Sequence, residues 1–402
     1  VSTEAFLERI HPFTKNILIE AARANPVAKP LSRLPLLDWF AKVHAVQPQK
    51  DIVIVYHSHI LHSSLELIKH LAYIAGPENT FVLEKPYSTL HQAFSKAAEG
   101  GVKTYQMKID RSMSYEYSVK RNVDFFWREI QEYVRVNQTK EIIVISDGAD
   151  VLLSPVIREL QDIKIIGIEQ TQRGLSRLQK ANLFFPVVSI AQTKSKKNYE
   201  SPFIAAAALA KIDAASLLNR TYRYGIVGAG SIGKEIIRGL NLHGITPLVY
   251  DPIKTSSLDD FQAQSLEYLV QNSDIIIGTT GTDSLRGMYI ERIKGKKIFI
   301  STSSSNVEFD YLFDLAKTYA NSFEDIRLRI SSTFSAIVLN GGYPINFDRE
   351  VEWESFNDIQ LTRALIYASV YEAINRKSTK AKIKCLHNAL EKEVTNKWLL
   401  LR

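Results

Sequence analysis

Along the first half of the chain, short β-branched runs alternate with stretches whose apolar positions recur at helical spacing. DIVIVYH (51–57), TFVLEK (80–85), VKTYQMK (102–108), EIIVISD (141–147), IKIIGIE (163–169) and FPVVSIA (185–191) read as strands. LHSSLELIKHLAYI, STLHQAFSKAAEGG with its terminal glycines, and SVKRNVDFFWREIQEYVRV read as the helices between them. This alternation predicts a mostly parallel sheet covered on both faces. The Ala-rich stretch SPFIAAAALAKIDAASLLN (201–219) predicts a helix joining two halves. A second set of strands follows at YGIVGA, TPLVYD, DIIIGTT, KKIFIST and AIVLN. SFNDIQLTRALIYASVYEAINRKS reads as a strongly amphipathic helix, and the chain after it as a loosely held basic tail. The expected fold class is α/β, with two doubly wound domains.

The two halves differ in chemistry. Ligands of open α/β sheets lie beyond the carboxyl ends of the strands. In the first half those ends carry His57, Glu84, Asp147 and Glu169, each directly after an apolar run. The second half opens on YRYGIVGAGSIGKEIIRGL (222–240), in which Gly228, Gly230 and Gly233 follow a strand and open a helix. Such a turn needs its first glycine for tightness, its second for close approach of pyrophosphate, and its third for helix–strand packing. The amides of Ser231 and Ile232, at the helix start, face an anion with the positive end of the helix dipole. Asp251 ends the next strand, close to the ~20-residue spacing at which a carboxylate binds the adenosine ribose. A carboxylate there repels a 2′-phosphate, so the expected cofactor is NAD, on a Rossmann-type domain.

Composition narrows the class. The 402 residues are 45% hydrophobic and 23% charged, as in ordinary globular proteins. The single cysteine, Cys385, excludes an intramolecular disulfide and a Cys-based zinc site. No apolar run reaches the roughly 18 residues that span a bilayer. The stretch VSTEAFLERIHPFTKN lacks the apolar centre of a signal peptide, so the expected location is cytoplasmic. A net charge of +7 is scattered, apart from KSKK (194–197) and RKSTKAKIK (376–384), and no nucleic-acid motif accompanies it. His57, His59 and His62 straddle a strand end and a helix start with no acidic or cysteine partner adjacent, so no metal is expected. Nothing resembles Gly-x-Ser-x-Gly, which argues against a serine hydrolase.

Several stretches, in order from about residue 50 to about 375, resemble the S-adenosylhomocysteine hydrolase (adenosylhomocysteinase) family. YHSHI (56–60), VISDGAD (144–150), GIEQTQRGLSRL (167–178), FPVVSIAQTKSK (185–196), VGAGSIGKE, YDPI, IIIGTTGT (275–282), VEFD (307–310), NFD (346–348) and WESF (353–356) carry the resemblance. It implies a substrate domain at 1–200, completed by about 347–402, an NAD-binding domain at 201–346, and a hinged cleft. It also implies a homo-oligomer, and a chemistry in which NAD takes hydride from a ribose 3′-carbon before elimination and hydration. Residue by residue, His57, Asp147 and Lys194 match catalytic positions. Glu169, Gln170, Arg173 and Asn198 fall at substrate or neighbouring positions. Thr171, Thr280, Gly281 and Asn346 fall at cofactor positions beside the glycine turn.

The departures are informative. Gln170 stands where the family has a substrate-binding glutamate, and Asn198 and Tyr199 replace an Asp-Asn pair. Gln172 and Arg173 replace two cofactor-contacting threonines, and Ser304 and Trp353 replace two histidines. The family's C-terminal Lys and Tyr have no counterpart in LEKEVTNKWLLLR. An asparagine cannot serve as a base where an aspartate did. The expectation is an adenosylhomocysteinase-like NAD enzyme that oxidises a ribose-type hydroxyl of an altered, nucleoside- or nucleotide-like substrate. Two alternatives stand beside it: a non-catalytic NAD-binding paralogue with a sensing role, and adenosylhomocysteine hydrolysis itself. Arg173, Lys194, Lys196 and Lys197 raise a subsidiary expectation, a phosphate-bearing ligand.

Overall fold

Fully apolar strands need cover on both faces, and the computed structural model supplies it in two units. It describes residues 33–110, 112–251, 262–319, 322–375 and 381–402. The N-terminal stretch weighed above as a signal peptide, and part of the basic run at 376–384, lie outside the described residues. Among the described residues, one unit joins those up to Ile109, Glu116–Glu200 and Arg349–Arg402. The other joins Asp110–Tyr115 and Ser201–Asp348.

The first unit begins with helix α1 (Pro35–Val43), then strand β1 (Ile52–Ser58), α2 (His62–Ala75), β2 (Thr80–Glu84), α3 (His91–Glu99) and β3 (Lys103–Tyr105). It continues with α4 (Tyr115–Val136), β4 (Glu141–Ser146), β5 (Lys164–Glu169), α5 (Gln172–Gln179) and β6 (Val187–Ser189). Every residue of β1 and β2 is buried. Trp127 of α4 is fully buried, and its Nε1 donates to Val151 O at 2.8 Å. Strands β1 to β6 are paired in parallel, and β1 lies between β2 and β4. Successive strands are added in one direction from β1 to β3 and in the other from β4 to β6, which makes the carboxyl ends of β1 and β4 the topological switch point. The register sets Ser58 beside Glu84, and His57 beside Ser146, so the residues after these strands meet there.

The second unit contains α6 (Ser201–Ala214), β7 (Tyr224–Val227), α7 (Ser231–Leu242), β8 (Leu248–Tyr250), α8 (Leu266–Asn272) and β9 (Ile275–Gly278). It closes with β10 (Gly295–Ser301), α9 (Asp310–Leu315), β11 (Ile326–Arg329) and β12 (Phe334–Val338). The strand order is β11-β12-β10-β9-β7-β8, parallel except for the antiparallel edge strand β11. Ala205, Ala208, Leu209 and Ile212 of α6 share a core with Ile236, Ile237 and Leu240 of α7. Small alanines let the two helices approach closely. The switch point of this sheet lies between β7 and β9, directly after which come Gly228 and Thr279.

The chain then returns to the first unit as α10 (Phe356–Asn375), β13 (Ile383–Cys385) and α11 (Asn388–Leu401). Two expectations change here. Helix α10 is buried around most of its circumference rather than along one stripe, because α1, α2, α11 and the sheet all pack on it. Its polar residues find partners: Gln360 Oε1 accepts from Leu36 N at 3.1 Å, and Thr362 Oγ1 donates to Glu200 Oε1 at 2.8 Å. The segment expected as a loose tail carries a strand and a helix within its described residues, 381–402. β13 extends the sheet beside β6, and α11 buries Val394 and Trp398. Glu391 Oε1 accepts from Ser195 N at 2.9 Å and from its Oγ at 2.8 Å, which ties α11 to the loop after β6.

Trp398 is fully buried and its Nε1 donates to Asn357 O at 2.7 Å. We expect Trp398→Ala to destabilise the first unit by about 3–5 kcal/mol. Urea unfolding followed by circular dichroism checks this; a loss below about 1 kcal/mol would mean that α11 is not part of the unit's core.

Candidate functional site

At the switch point of the first unit, the carboxyl ends of β1, β2 and β4 gather a buried polar cluster. Lys85, which follows β2, donates from Nζ to Asp147 Oδ1 at 2.5 Å. Gln170 Nε2 donates to Asp147 Oδ2 at 2.6 Å and to Ser58 Oγ at 3.0 Å. His59 Nε2 lies 3.3 Å from Asp147 Oδ2, and its Nδ1 bonds Ser88 Oγ at 2.6 Å. Both carboxylate oxygens of Asp147 are therefore committed. Burial alone would raise its carboxyl, but Lys85 and His59 reverse that and hold it well below the usual carboxylate range. Burial alone would lower the Lys85 ammonium, and the same ion pair raises it instead. Burial lowers His59 to about 4 against the pull of Asp147, so its ring is neutral at pH 7.

His57 is set differently. Its Nδ1 lies 3.2 Å from Leu83 O, and a carbonyl only accepts, so Nδ1 carries the hydrogen. Nε2, the other ring nitrogen, is buried with no hydrogen-bond partner among the described residues. Asp150 Oδ2 lies 3.9 Å away, while Asp150 Oδ1 accepts from Arg177 Nη1 at 2.5 Å. Burial would raise the Asp150 carboxyl, but His57, Arg177 and Lys85 together lower it strongly. The amide oxygen of Gln170 is a second buried acceptor without a partner.

Glu169, at the end of β5, organises the backbone around this cluster. Its Oε1 accepts from Gly148 N at 3.1 Å, Thr171 N at 2.8 Å and Thr171 Oγ1 at 2.7 Å. Full burial pushes it up to about 7, against the Thr171 hydrogen bond and with the charge of Asp147 adding to the rise. A Cβ on Gly174 would lie 2.3 Å from the Glu169 carboxyl carbon, so only glycine fits above it. Thr171 caps α5 by accepting from Gly174 N at 3.0 Å.

The other expected residues of this unit lie apart from the cluster. Lys194 and Asn198 are exposed around the wide turn after β6, and Lys194 has no hydrogen bond or ion pair among the described residues. Lys196 is the buried lysine of KSKK: its Nζ donates to Gln170 O at 2.7 Å and pairs with Glu200 at 3.0 Å. Arg173 pairs with Glu116 at 3.1 Å. Sequence reasoning passed over Lys85 and placed His59 merely near a helix start. The available signal for Lys85 was a lysine directly after Glu84 at the carboxyl end of an apolar strand.

In the second unit the glycine turn has the form its sequence predicts. Gly228 has φ +99° and donates its N–H to Tyr250 O at 2.8 Å. A Cβ on Gly233 would lie 2.3 Å from Gly228 O, whereas a Cβ on Gly230 would meet nothing within 4 Å. The first and third glycines thus serve the fold, and the second leaves open space over the start of α7. Ser231 is exposed and Ile232 half-buried in the first turn of α7, whose opening amides face that space. Asp251 Oδ2 accepts from Ala229 N at 2.6 Å, which fixes its carboxylate beside the turn. This cradle fits a dinucleotide: the anion has free amides and room, and the carboxylate stands where a ribose diol would lie.

The loop after β9 is held from below by Glu308, which sequence reasoning also missed as a functional residue. It is fully buried and accepts from Thr280 N at 3.1 Å, Thr280 Oγ1 at 2.8 Å and Gly281 N at 2.8 Å. Burial raises its carboxyl, opposed by hydrogen bonds from Ser303 and Thr280. A Cβ on Gly281 would meet nothing within 4 Å, so this loop too is open on its outer side. Asn346 is buried beside Ile345, whose N–H donates to Ser301 O at the end of β10 at 2.9 Å. Among the described residues, no cluster of His, Cys, Asp and Glu could hold a metal, and no helix is long and apolar enough to cross a membrane.

Comparison with known proteins agrees with the cofactor reading. Residues 206–306 match the NAD-binding domain of the D-isomer specific 2-hydroxyacid dehydrogenases. An uncharacterised protein of Mycobacterium tuberculosis is 26% identical over 355 residues, covering 86% of this chain and 68% of that one. The S-inosyl-L-homocysteine hydrolase of Methanopyrus kandleri is 26% identical over 280 residues, covering 66% of this chain and 62% of that one. A crystal structure of NAD+-bound 3-phosphoglycerate dehydrogenase from Entamoeba histolytica aligns with 76% of this chain and 98% of that one, at 13% identity and a TM-score of 0.37. The chain has a two-unit α/β fold with an NAD-binding domain, and it is weakly similar to an S-inosyl-L-homocysteine hydrolase.

Two outcomes follow from this geometry. Gly230→Ala should leave the melting temperature unchanged and weaken NAD binding at least about tenfold, because its methyl fills only ligand space. Gly233→Ala should lower the melting temperature as well; calorimetric titration with NAD and thermal melts separate the two. The Glu169 carboxyl is raised when folded, so its stabilisation is complete below the ordinary carboxyl range, near 4.3, and is lost as pH rises through about 7. Glu169→Gln should flatten the stability–pH curve between those limits. An unchanged slope would mean that Glu169 is ionised in the fold.

Proposed function

We propose that the chain is an NAD-dependent enzyme that oxidises a ribose-type secondary hydroxyl of a nucleoside-like ligand. The observation that carries this reading is the divided state of the first unit's acids and bases. Asp147 is locked as an ion-paired acceptor, whereas His57 keeps a buried Nε2 with no hydrogen-bond partner among the described residues. NAD, when bound, supplies the hydride acceptor.

The chain's own residues then have separate tasks. His57 Nε2 accepts the proton of a hydroxyl that bridges it from one side to Asp150 Oδ2, the two atoms lying 3.9 Å apart. Asp150, held ionised by Arg177, stabilises the imidazolium that results. The Gln170 amide oxygen accepts a second ligand donor. Lys194, an exposed cation on the turn after β6 without a partner among the described residues, is proposed as a second base or electrostatic partner. Asp147 cannot take a proton while Lys85 and Gln170 hold it, which favours oxidation over a complete elimination–hydration cycle. Support for a nucleoside-like ligand comes from the resemblance to a hydrolase named for S-inosyl-L-homocysteine.

NAD-saturated protein mixed with adenosine, inosine, S-adenosylhomocysteine or S-inosylhomocysteine should show the near-ultraviolet absorbance of reduced nicotinamide with at least one of them. His57→Gln should slow that rise by about 10²–10⁴-fold, and Lys194→Ala should also impair it. Release of homocysteine without a persistent rise would indicate hydrolysis instead. No rise and no release, with NAD bound, would leave the non-catalytic reading.

A further inference from the structure

The second unit contains a cavity away from its cofactor turn. It has a volume of about 300 Å³ and lies at the amino ends of β7 and β8, lined by Arg220, Tyr222, Arg223, Gly244, Thr246 and Asn272 among others. Strand β7 is four residues long, so the cavity and Gly228 are separated by roughly 13 Å of strand. A ligand there does not share the pyrophosphate's amides.

The walls are unevenly charged. Arg223 is satisfied by a two-pronged pair with Asp274, with Nε–Oδ2 at 3.2 Å and Nη2–Oδ1 at 2.9 Å. Arg220 is not: its Nε donates to His243 O at 2.9 Å, and no carboxylate pairs with its guanidinium among the described residues. Gly244 has φ +71°, and a Cβ there would lie 2.4 Å from Arg220 Nη2, so the guanidinium is seated against bare backbone. Behind the wall, Lys297 is buried and its Nζ donates to Gln271 O at 2.8 Å and Ser273 O at 2.7 Å, the residues flanking Asn272. Three cations thus meet one carboxylate. The lining itself keeps one uncompensated cation, Arg220, with the Lys297 charge behind it; this favours an anion, and the guanidinium fork of Arg220 matches the oxygens of a phosphate. Thr246 and Asn272 supply neutral hydrogen-bonding groups, and the half-buried Tyr222 ring supplies a flat apolar wall.

We propose that this cavity is a second ligand site that binds a small phosphomonoester, its phosphate on Arg220 and its organic part against Tyr222. The cavity is at the lower end of the range for small-molecule sites, so it suits a sugar phosphate rather than a dinucleotide.

The test is calorimetric titration of the full chain, saturated with NAD so that the glycine turn does not take up the probe. Ribose 5-phosphate should bind saturably with Kd on the order of 1 mM or tighter, and inorganic phosphate more weakly. Arg220→Ala should weaken ribose 5-phosphate at least about tenfold, with NAD affinity unchanged. Thr246→Glu, at an exposed position, should weaken it by charge repulsion without touching any guanidinium contact, which covers the case of an Arg220 variant that does not fold. Absence of saturable binding, equal affinity for the two probes, or binding insensitive to both substitutions would overturn the proposal.

Discussion

The Lys85–Asp147 ion pair is the constraint around which the first unit's chemistry is arranged. Taking both charges out of water is costly, and their attraction offsets that cost only when the remaining polar atoms are satisfied. Here the second carboxylate oxygen is satisfied by Gln170 and faces His59. The three strands β2, β1 and β4 must be adjacent and in register to deliver these groups. Removing one partner would leave the other buried and uncompensated. The pair also bears on the division of roles in the proposed function: an aspartate so held accepts hydrogen bonds but does not take protons, which is why the proposal gives proton transfer to His57.

A common device holds the loops of both units. Glu169 and Glu308 are buried carboxyls that each accept two backbone N–H groups from residues following parallel strands: Gly148 after β4 and Thr171 after β5 in the first case, Thr280 and Gly281 after β9 in the second. Each needs a glycine close by, Gly174 in one case and Gly278 in the other, because a Cβ would strike the carboxyl side chain. Hydrogen bonds to an acid in a site without water fix loop geometry more firmly than exposed contacts do. In the second unit that geometry presents Thr280 and Gly281 beside the glycine turn.

Much of the fold was legible because the pattern is set by burial. β1, β2, β4, β5, β7 and β9 are buried along nearly all their length, so their central residues are apolar and they stand out as Val/Ile-rich runs. β11 was hidden: it is an antiparallel edge strand, Ile-Arg-Leu-Arg, with its arginines exposed. α5 was hidden by its polar composition, and α11 by its charges, although Val394 and Trp398 face inward. The glycine turn could be read because a backbone demand leaves its mark in residue type. The partners of Lys85 and Glu308 could not, because they depend on which strands lie side by side. The lysines of the KSKK run could not be sorted by sequence either: Lys196 turns inward and Lys194 outward.

The central claim is that Lys85 keeps Asp147 ionised and out of proton transfer. It is tested most directly by carbon-13 NMR of aspartate-labelled protein titrated with acid, for the unsubstituted chain and for Lys85→Met. The account predicts an Asp147 carboxyl that stays ionised through the range near 3.9 where free aspartates titrate. In Lys85→Met the same carboxyl, still buried, should titrate higher than in the unsubstituted chain. An Asp147 that titrates in the ordinary range, with no change on substitution, would contradict the account and return the aspartate to the list of candidate bases.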